Sequence, residues 1–553
     1  MNSSRRDGII MGRYLRRFPG QLAGVVGLIA VIQGITVWAS TLNATLLDAL
    51  IQFNLRRFLT AAALLMGGWV LIALLTYVVT IAQTRLTQTI DIAIRQDLTT
   101  LLRGKNYETF GERTVGAYVS WFTNDIEMIN VQGLASFFMV VSELFGTGFA
   151  LIALWRYHWT LAGTAAVLAV LIITVPRIFD RPLNQTNTAL TQENEHFVNR
   201  TEDVLSGFDF LFAFHALSLI TQRVVAASRE LKQKAVAQSK AQTAVQVTGF
   251  LGNVMAQVVL MGLSGILAMQ RLVTIGTLSA VGSLAGNVFN NLGSMSNYLG
   301  MMRGVQPIFA KYQAAAPAPA TKKDPVTRVA TAPLLAVQHV SFSYQDQPIL
   351  QDVSLTIQQG HKYLLAGPSG AGKSTLLKLM AGYLTGYQGQ LVFHGQDYRA
   401  IGQAALMDRI LYLTQTPQVI SGTVADNLIL TDHYSAAKMI QVLRRVALIT
   451  TEAEGPDFLK QDVGAKGTAL SGGQLQRLAL ARGLLRGYHI LLLDEGTSAV
   501  DGPTAVQIEQ DLLLDPRLTL LMISHTPHAA TAPLFDHVIQ FPLTKTAGAP
   551  ASV

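Results

Sequence analysis

Uncharged stretches of unusual length dominate the first 302 residues of the chain. Those without any charged side chain span 59–84, 241–270 and 272–302. Each exceeds the roughly 20 residues that a helix needs to cross a bilayer. Further apolar stretches lie at 21–46, 134–155 and 160–175. The pattern predicts six membrane-spanning helices, because buried helices of a soluble protein are seldom so long and so free of charge.

The connections between these stretches differ in length and charge. Two long ones, 85–133 and 176–240, carry most of the basic residues found in the first 302 positions and have the periodicity of helices. The N-terminal segment is also basic, whereas the opposite connections hold only Arg56, Arg57, Arg156 and Arg271. Because basic residues favour the cytoplasmic side of a membrane, this asymmetry predicts that the N-terminus and both long segments are cytoplasmic.

A change of pattern near residue 313 predicts a second domain. The segment QAAAPAPATKKDPVTRVATAP is rich in alanine and proline, which is typical of a linker. Short apolar runs then alternate with helical stretches, which predicts an α/β fold with a largely parallel sheet. We therefore divide the chain into a helical membrane domain at 1–312, a linker at 313–333 and an α/β domain at 334–553.

Composition narrows the class of protein further. Of the 553 residues, 50% are hydrophobic and only 14% are charged, which fits a membrane protein better than a soluble one. The absence of cysteine excludes disulfides, zinc thiolate sites and catalytic thiols. The net charge of +8 would also suit a nucleic-acid binder, but the position of the basic residues beside membrane spans argues against that function.

The first candidate functional motif of the second domain is a phosphate-binding loop. The segment GPSGAGKST follows the apolar run KYLLA and precedes the helical stretch STLLKLM, which is the context such a loop requires. Its backbone amides would surround phosphates, Lys373 would reach the β- and γ-phosphates, and Ser374 would bind Mg²⁺. The candidate nucleotide-binding residues are Gly367, Ser369, Gly370, Gly372, Lys373, Ser374 and Thr375.

A pair of carboxylates follows another apolar run, in HILLLDEGTSAVD. Asp494 is a candidate Mg²⁺ ligand, and Glu495 could accept a proton from an attacking water. Alone, the pair could equally be a helix cap, but the phosphate-binding loop upstream favours the catalytic interpretation.

The segment from Leu470 to Gln474, LSGGQ, resembles the signature of ABC ATPases and lies a short distance before the acidic run. In that family the signature contacts the γ-phosphate of ATP held by a partner's phosphate-binding loop. The resemblance implies this role for Ser471, Gly472, Gly473 and Gln474. Further resemblances follow in the family's order: Tyr344 as the aromatic on adenine, Gln415 as the glutamine near Mg²⁺, Asp501 as the D-loop aspartate and His525 as the histidine that contacts the γ-phosphate. The resemblance covers essentially the whole chain.

The resemblance implies an ABC exporter half-transporter that hydrolyses ATP with Mg²⁺. Catalysis is expected from Glu495, His525 and Gln415, and metal binding from Ser374, Gln415 and Asp494. Because the signature acts on the partner's ATP, two halves must assemble, as a homodimer or a heterodimer. The expected location is a bacterial cytoplasmic membrane, with the ATPase domain in the cytoplasm. Segments 116–129 and 205–214 resemble the intracellular loops that couple the two domains.

One departure from the family is at Ala465, where exporters usually carry a glutamate, so the coupling role of that loop is in doubt. The substrate is also open, and could be a small molecule, a lipid or a peptide. The sixth span carries a polar stripe that either faces a hydrated pathway or bonds neighbouring helices: Asn287, Asn290, Asn291, Ser294 and Asn297. Glu143 lies within the third span and is a candidate for binding a cation or a proton.

Two other functions compete with export. A sensor subunit could use ATP to control signalling, and stimulation of the ATPase by a transported compound would distinguish transport from it. Import is possible in principle, although importers usually keep the membrane and ATPase domains on separate chains.

Overall fold

The computed structural model describes residues 4–175, 178, 180–315, 332–345, 347–524 and 527–542. Most of the linker predicted at 313–333 therefore lies outside the described residues, as does His525. The chain divides into two compact units. The first comprises the described residues of Met1–Gly104 and Thr114–Ala316, and the second those of Lys105–Arg113 and Pro317–Val553.

The regular structure of the first unit is helical and includes the π-helical turn Ile129–Leu134. With a short helix of the second unit, α4, included in chain order, the helices are α1 Ser4–Arg17, α2 Pro19–Ile51, α3 Leu55–Arg103, α4 Tyr107–Gly111, α5 Val115–Phe122, α6 Asn124–Met128, α7 Ala135–Tyr157, α8 Trp159–Thr174, α9 Asp180–Ser206, α10 Phe208–Ala213, α11 Ser218–Met269, α12 Thr277–Gly304 and α13 Gln306–Ala314.

Each of the six predicted spans contains a helix. In the described part of the chain, four helical segments are long and apolar enough by themselves to cross a membrane: Pro19–Ile51, Leu55–Arg103, Val115–Tyr157 and Ser218–Met269. The helix of the fourth predicted span, α8, has only 16 residues. The sixth, α12, has 28 residues, but its asparagines, serines and glycines reduce its apolar character.

Polar side chains of α12, two of them in the predicted stripe, make hydrogen bonds to neighbouring helices. Asn287 donates to Ser40 of α2 at 3.4 Å, and Ser283 accepts from Asn43 of the same helix at 3.3 Å. Asn290 accepts from Asn253 of α11. Polar groups inside a membrane need such partners, so these contacts favour the helix-bonding interpretation for this part of the stripe.

The second unit contains two sheets. An antiparallel sheet has the order β2-β1-β4-β5, and a parallel sheet has the order β6-β7-β8-β3-β9, which confirms the α/β prediction. Its strands are β1 Leu335–Tyr344, β2 Gln347–Ile357, β3 Lys362–Ala366, β4 Gln388–Phe393, β5 Gln396–Asp397, β6 Ile410–Leu413, β7 Ile490–Asp494, β8 Thr519–Ile523 and β9 His537–Gln540. Its further helices are α14 Lys373–Met380, α15 Gln403–Met407, α16 Val424–Ile429, α17 Ala436–Arg445, α18 Gly455–Lys460, α19 Gly472–Arg486 and α20 Gly502–Leu514.

The parallel sheet brings the predicted site residues to one edge. The strands β3, β6 and β7 all end at the same edge, because parallel strands share their direction. The phosphate-binding loop follows β3, Gln415 follows β6, and Asp494 is the last residue of β7. Ligands of open α/β sheets bind beyond such carboxyl ends, so the topology places a nucleotide site at this edge.

Candidate functional site: the nucleotide-binding edge

The phosphate-binding loop connects β3 to α14 through glycines with backbone conformations that other residues rarely adopt. Gly370 and Gly372 have φ angles of 78° and 95°. A Cβ on Gly372 would approach Leu350 Cδ2 to 2.8 Å, and one on Gly367 would lie 2.1 Å from the carbonyl oxygen of Phe541. Both positions therefore need glycine for space as well as for conformation.

Lys373 is folded back into this loop. Its Nζ donates hydrogen bonds to the carbonyl oxygens of Gly367 and Pro368 at 2.8 and 2.7 Å, and only 5% of the residue is exposed. The ammonium group is thus held in the concavity of the loop, where a phosphate oxygen could replace the carbonyl oxygens as its partner.

The predicted Mg²⁺ ligands Ser374 and Asp494 are in contact. Ser374 Oγ donates to Asp494 Oδ1 at 3.0 Å, and Asp494 is 7% exposed. Gln415 supplies an amide oxygen from the loop after β6. Mg²⁺ prefers oxygen ligands and completes its octahedron with phosphate and water oxygens, so a hydroxyl, a carboxylate and an amide oxygen suit it.

Gln415 also contacts the predicted general base. Its Nε2 donates to Glu495 Oε2 at 2.6 Å, while the Glu495 backbone amide donates to the carbonyl oxygen of Ile523 at 3.2 Å. Two predicted catalytic residues from distant parts of the sequence are therefore adjacent. The third, His525, lies outside the described residues.

The signature residues form the start of α19. Ser471 Oγ accepts from the Gln474 amide at 3.2 Å, and Gln474 Oε1 accepts from the Ser471 amide at 2.8 Å, which is a capping box. Gly473 lies so close to the next loop that a Cβ would be 2.7 Å from the Ala499 carbonyl oxygen. Ser471 and Gly472 at this helix N-terminus are exposed, whereas Gly473 is buried, and an exposed helix N-terminus suits an anion.

Two further predicted site residues, Asp501 and Tyr344, each lie at the end of a helix or strand. Asp501 caps α20 by accepting from the Thr504 amide at 3.2 Å, and this hydrogen bonding lowers the pKa of its carboxyl group. Tyr344 ends β1, is 43% exposed and packs edge-on against Phe342. An exposed ring of this kind is available for stacking on a base.

Two residues that the sequence analysis missed connect these parts. Gln476 is 4% exposed, and its Nε2 lies 3.1–3.2 Å from the carbonyl oxygens of Gln415 and Glu495. Its Oε1 accepts from the Ala499 amide at 3.0 Å. Tyr412 of β6 donates to Asp494 Oδ2 at 2.9 Å. Neither has a local sequence signal, because every one of these contacts joins segments far apart in the chain.

A buried carboxylate supports the loop after Glu495. Glu509 of α20 is 2% exposed and accepts from the hydroxyls of Thr497 and Thr531, each at 2.7 Å. Its Oε2 also lies 3.2 Å from Nδ1 of His528. Thr497 is two residues from Glu495, so this network fixes the backbone that carries the predicted base.

Replacing Glu509 with alanine is expected to destabilise the ATPase unit by about 2–4 kcal/mol, because it leaves two buried hydroxyls without their charged acceptor. In a unit of this size the loss corresponds to about 5–15 °C in thermal unfolding of the full chain. Asp511→Ala is the matched control: it lies on the same helix and removes an exposed ion pair with Arg445, at a cost of about 1 kcal/mol or less. Equal effects of the two substitutions would contradict the supporting role.

Comparison with known proteins agrees with both units. The family model described as "ABC transporter transmembrane region" matches residues 23–292, and the one described as "ABC transporter" matches residues 350–498. The described fold resembles a bacterial Atm1-family ABC exporter solved with ATP bound, with a TM-score of 0.79 and 20% identity over 95% of this chain and 93% of that one.

Curated relatives share this arrangement. The ATP-dependent lipid A-core flippase of Sodalis glossinidius is 28% identical over 75% of this chain and 72% of its own length. The mycobactin import ATP-binding/permease protein IrtB of Mycolicibacterium thermoresistibile is 25% identical over 92% of this chain and 90% of its own. That second relative is named for import, so the usual separation of importer domains onto different chains does not exclude import for a fused chain.

The matches to both family models extend over most of the chain, and the phosphate-binding loop, the paired carboxylates and the signature helix occupy one ATPase unit. The chain belongs to the ABC transporter superfamily, as an exporter-type half-transporter whose ATPase unit drives transport by hydrolysing ATP.

Proposed function

We propose that two such chains form a transporter that exports a substrate from a bacterial cytoplasm. The observation that carries the proposal is the exposed start of α19: its amides and Ser471 suit an anion, yet the polar side chains of its cap bond each other within the described structure. A helix N-terminus prepared for an anion is explained if the γ-phosphate comes from a partner's phosphate-binding loop.

Exposed aromatic side chains on α10 and at the residue directly after it support assembly of two chains. Phe208, Phe210, Phe212 and Phe214 are 47–72% exposed, and their rings pack in pairs, Phe208 on Phe212 and Phe210 on Phe214. An exposed aromatic group beyond the predicted spans is typical of a protein–protein contact. We assign it to the ATPase unit of the second chain. A homodimer and a heterodimer both satisfy this assignment.

The catalytic proposal follows from the edge of the parallel sheet. ATP binds with its phosphates in the 367–375 loop, where Lys373 exchanges its carbonyl partners for phosphate oxygens. The Glu495 carboxylate takes a proton from a water whose oxygen attacks the γ-phosphorus, and the bond to the bridging oxygen breaks to give ADP and phosphate. Ser374, Asp494 and Gln415 would hold Mg²⁺, which neutralises charge that develops on the phosphates. Tyr344 stacks on adenine, and His525 contacts the γ-phosphate.

A cavity in the first unit supports a hypothesis about the substrate. It is a partly open cavity of about 560 Å³ between α2, α3 and the segment from α6 to α7. Its lining combines threonine and glutamine side chains of α3 with Gln33, Ser142 and several apolar side chains, and Glu127 is the charged residue among its described lining. A carboxylate without a lysine or arginine in this lining favours an uncharged polar or cationic substrate over an anionic one.

The test is ATPase activity and transport by the purified chain in lipid vesicles, with the oligomeric state recorded. Stimulation by cationic or neutral polar compounds, and their accumulation in inside-out vesicles, would support export. Accumulation only in right-side-out vesicles would replace export with import. ATPase activity that no transported compound changes would favour the sensor alternative.

A further inference from the structure

The carboxylate of Asp494 is held at both oxygens. Ser374 Oγ donates to Oδ1 at 3.0 Å, and the Tyr412 hydroxyl donates to Oδ2 at 2.9 Å. Tyr412 and Asp494 are 6% and 7% exposed, so water competes little for this second bond. The Tyr412 hydroxyl therefore fixes the orientation of the Asp494 carboxylate from the side opposite Ser374 Oγ.

The ring of Tyr412 begins a row of three tyrosines. It packs edge-on against Tyr383, with ring centroids 5.5 Å apart. Tyr383 packs edge-on against Tyr107 of α4, with centroids 4.9 Å apart. Such pairs depend on ring position and orientation, so a shift of the outer ring changes the packing of the inner ones.

The outer end of this row is anchored beside Tyr107. The Glu108 carboxylate accepts from the Thr385 amide at 3.0 Å and also from the Thr385 hydroxyl. The contacts of Tyr107 and Glu108 thus join segment 105–113 to the rest of the second unit, although the chain on both sides of the segment belongs to the first unit.

We propose that Tyr412 is a positioning residue for the metal ligand Asp494, and that Tyr383 and Tyr107 connect it to segment 105–113. This inference rests on the proposed binding of Mg²⁺ by Asp494. When segment 105–113 is in place, the row holds the Tyr412 hydroxyl against Asp494 and presents the remaining lone pairs of the carboxylate to the ion. Because coupling is reciprocal, metal binding also favours the docked position of the segment.

The test measures metal binding directly, using Mn²⁺ as the probe with the full-length protein in lipid nanodiscs and a non-hydrolysable ATP analogue. Electron paramagnetic resonance of free Mn²⁺ gives the dissociation constant. Tyr412→Phe removes only the hydroxyl and is expected to weaken binding about 10-fold, since a hydrogen bond to a charged group is lost. Tyr398→Phe is the control: its hydroxyl, equally buried, donates to the Met380 carbonyl oxygen at 2.6 Å. A Tyr412→Phe value within twofold of the control value overturns the positioning role.

The connection to segment 105–113 has its own measurement. Tyr107 is 46% exposed, so Tyr107→Ala should fold, and it is expected to weaken Mn²⁺ binding about threefold in the wild-type background. In the Tyr412→Phe background the same substitution should have no further effect, because residues that act through one another are non-additive. Independent, additive losses would overturn the connection.

These results separate the inference from the function on which it rests. If the wild-type protein binds no Mn²⁺ with the nucleotide and shows no Mg²⁺-dependent ATPase activity, the proposed site fails. If the wild type does both and Tyr412→Phe behaves like Tyr398→Phe, only the tyrosine row fails.

Discussion

Replacing Glu495 with glutamine is expected to reduce ATP hydrolysis at least about 100-fold while ATP binding is retained. General-base catalysis contributes roughly 10²–10⁴-fold, and an amide cannot accept the proton of the attacking water. Glutamine keeps the size of the side chain and a carbonyl oxygen that can accept from Gln415 Nε2, now 2.6 Å from the Glu495 carboxylate. The loss should therefore come from chemistry rather than from a rearranged site.

Phosphate release by the full chain in nanodiscs measures the first effect, and fluorescence of a bound ATP analogue measures the second. Glu452→Gln provides a matched control, because that glutamate is exposed and pairs only loosely with Arg444 at 3.5 Å. Its activity should equal that of the wild type. A Glu495→Gln variant that keeps more than a tenth of the activity would move the base function to another residue.

The parts of the site that the sequence predicts are those built from contiguous residues. A glycine-rich loop between an apolar run and a helix specifies the backbone of 367–375, because glycine conformations and the helix start act over a few residues. The same holds for Asp494 and Glu495 at the end of β7, and for the capping box of Ser471 and Gln474. Local chemistry sets these features, and the structure places them at one sheet edge.

Other features depend on contacts that no local pattern reveals. Tyr412 lies in a short strand where a tyrosine is ordinary, and its importance comes from Asp494, 82 positions away. Gln476 looks like an ordinary polar residue of a helical stretch, and its importance comes from backbone groups of the loops after β6 and β7 that surround it in the fold. The helix Tyr107–Gly111 has only 5 residues, too few for a periodic signal, so the sequence does not predict its place in the second unit.

In the membrane unit, too, the sequence predicts the helices but not the contacts between them. Uncharged length predicts that each of the six spans contains a helix, because a helix satisfies its own backbone in lipid. It cannot predict the partners of α12, whose asparagines bond α2 and α11. Such partners follow from helix packing, in which small residues and side-chain amides decide the neighbours.

Dimers that carry Lys373→Met in one chain and Ser471→Arg in the other are expected to regain about half of the wild-type activity, although neither variant is active as a homodimer. Lys373→Met removes the ammonium group that the loop carbonyls hold at 2.7–2.8 Å. Ser471→Arg removes the cap of α19 and puts a bulky side chain at its exposed start. If the signature completes the partner's site, such a dimer has one site with both parts intact.

The decisive control places both substitutions in one chain and pairs it with a wild-type chain. Sites shared between chains predict that this dimer is inactive, because each site then has one damaged part. Sites complete within one chain predict the opposite: the control dimer keeps about half of the activity and the first dimer has none. Two affinity tags allow each mixed dimer to be purified before phosphate release is measured. Both dimers would be inactive if the two sites must act together. Retention of a non-hydrolysable ATP analogue then still distinguishes the arrangements. A dimer with one intact site holds one nucleotide, and a dimer without an intact site holds none.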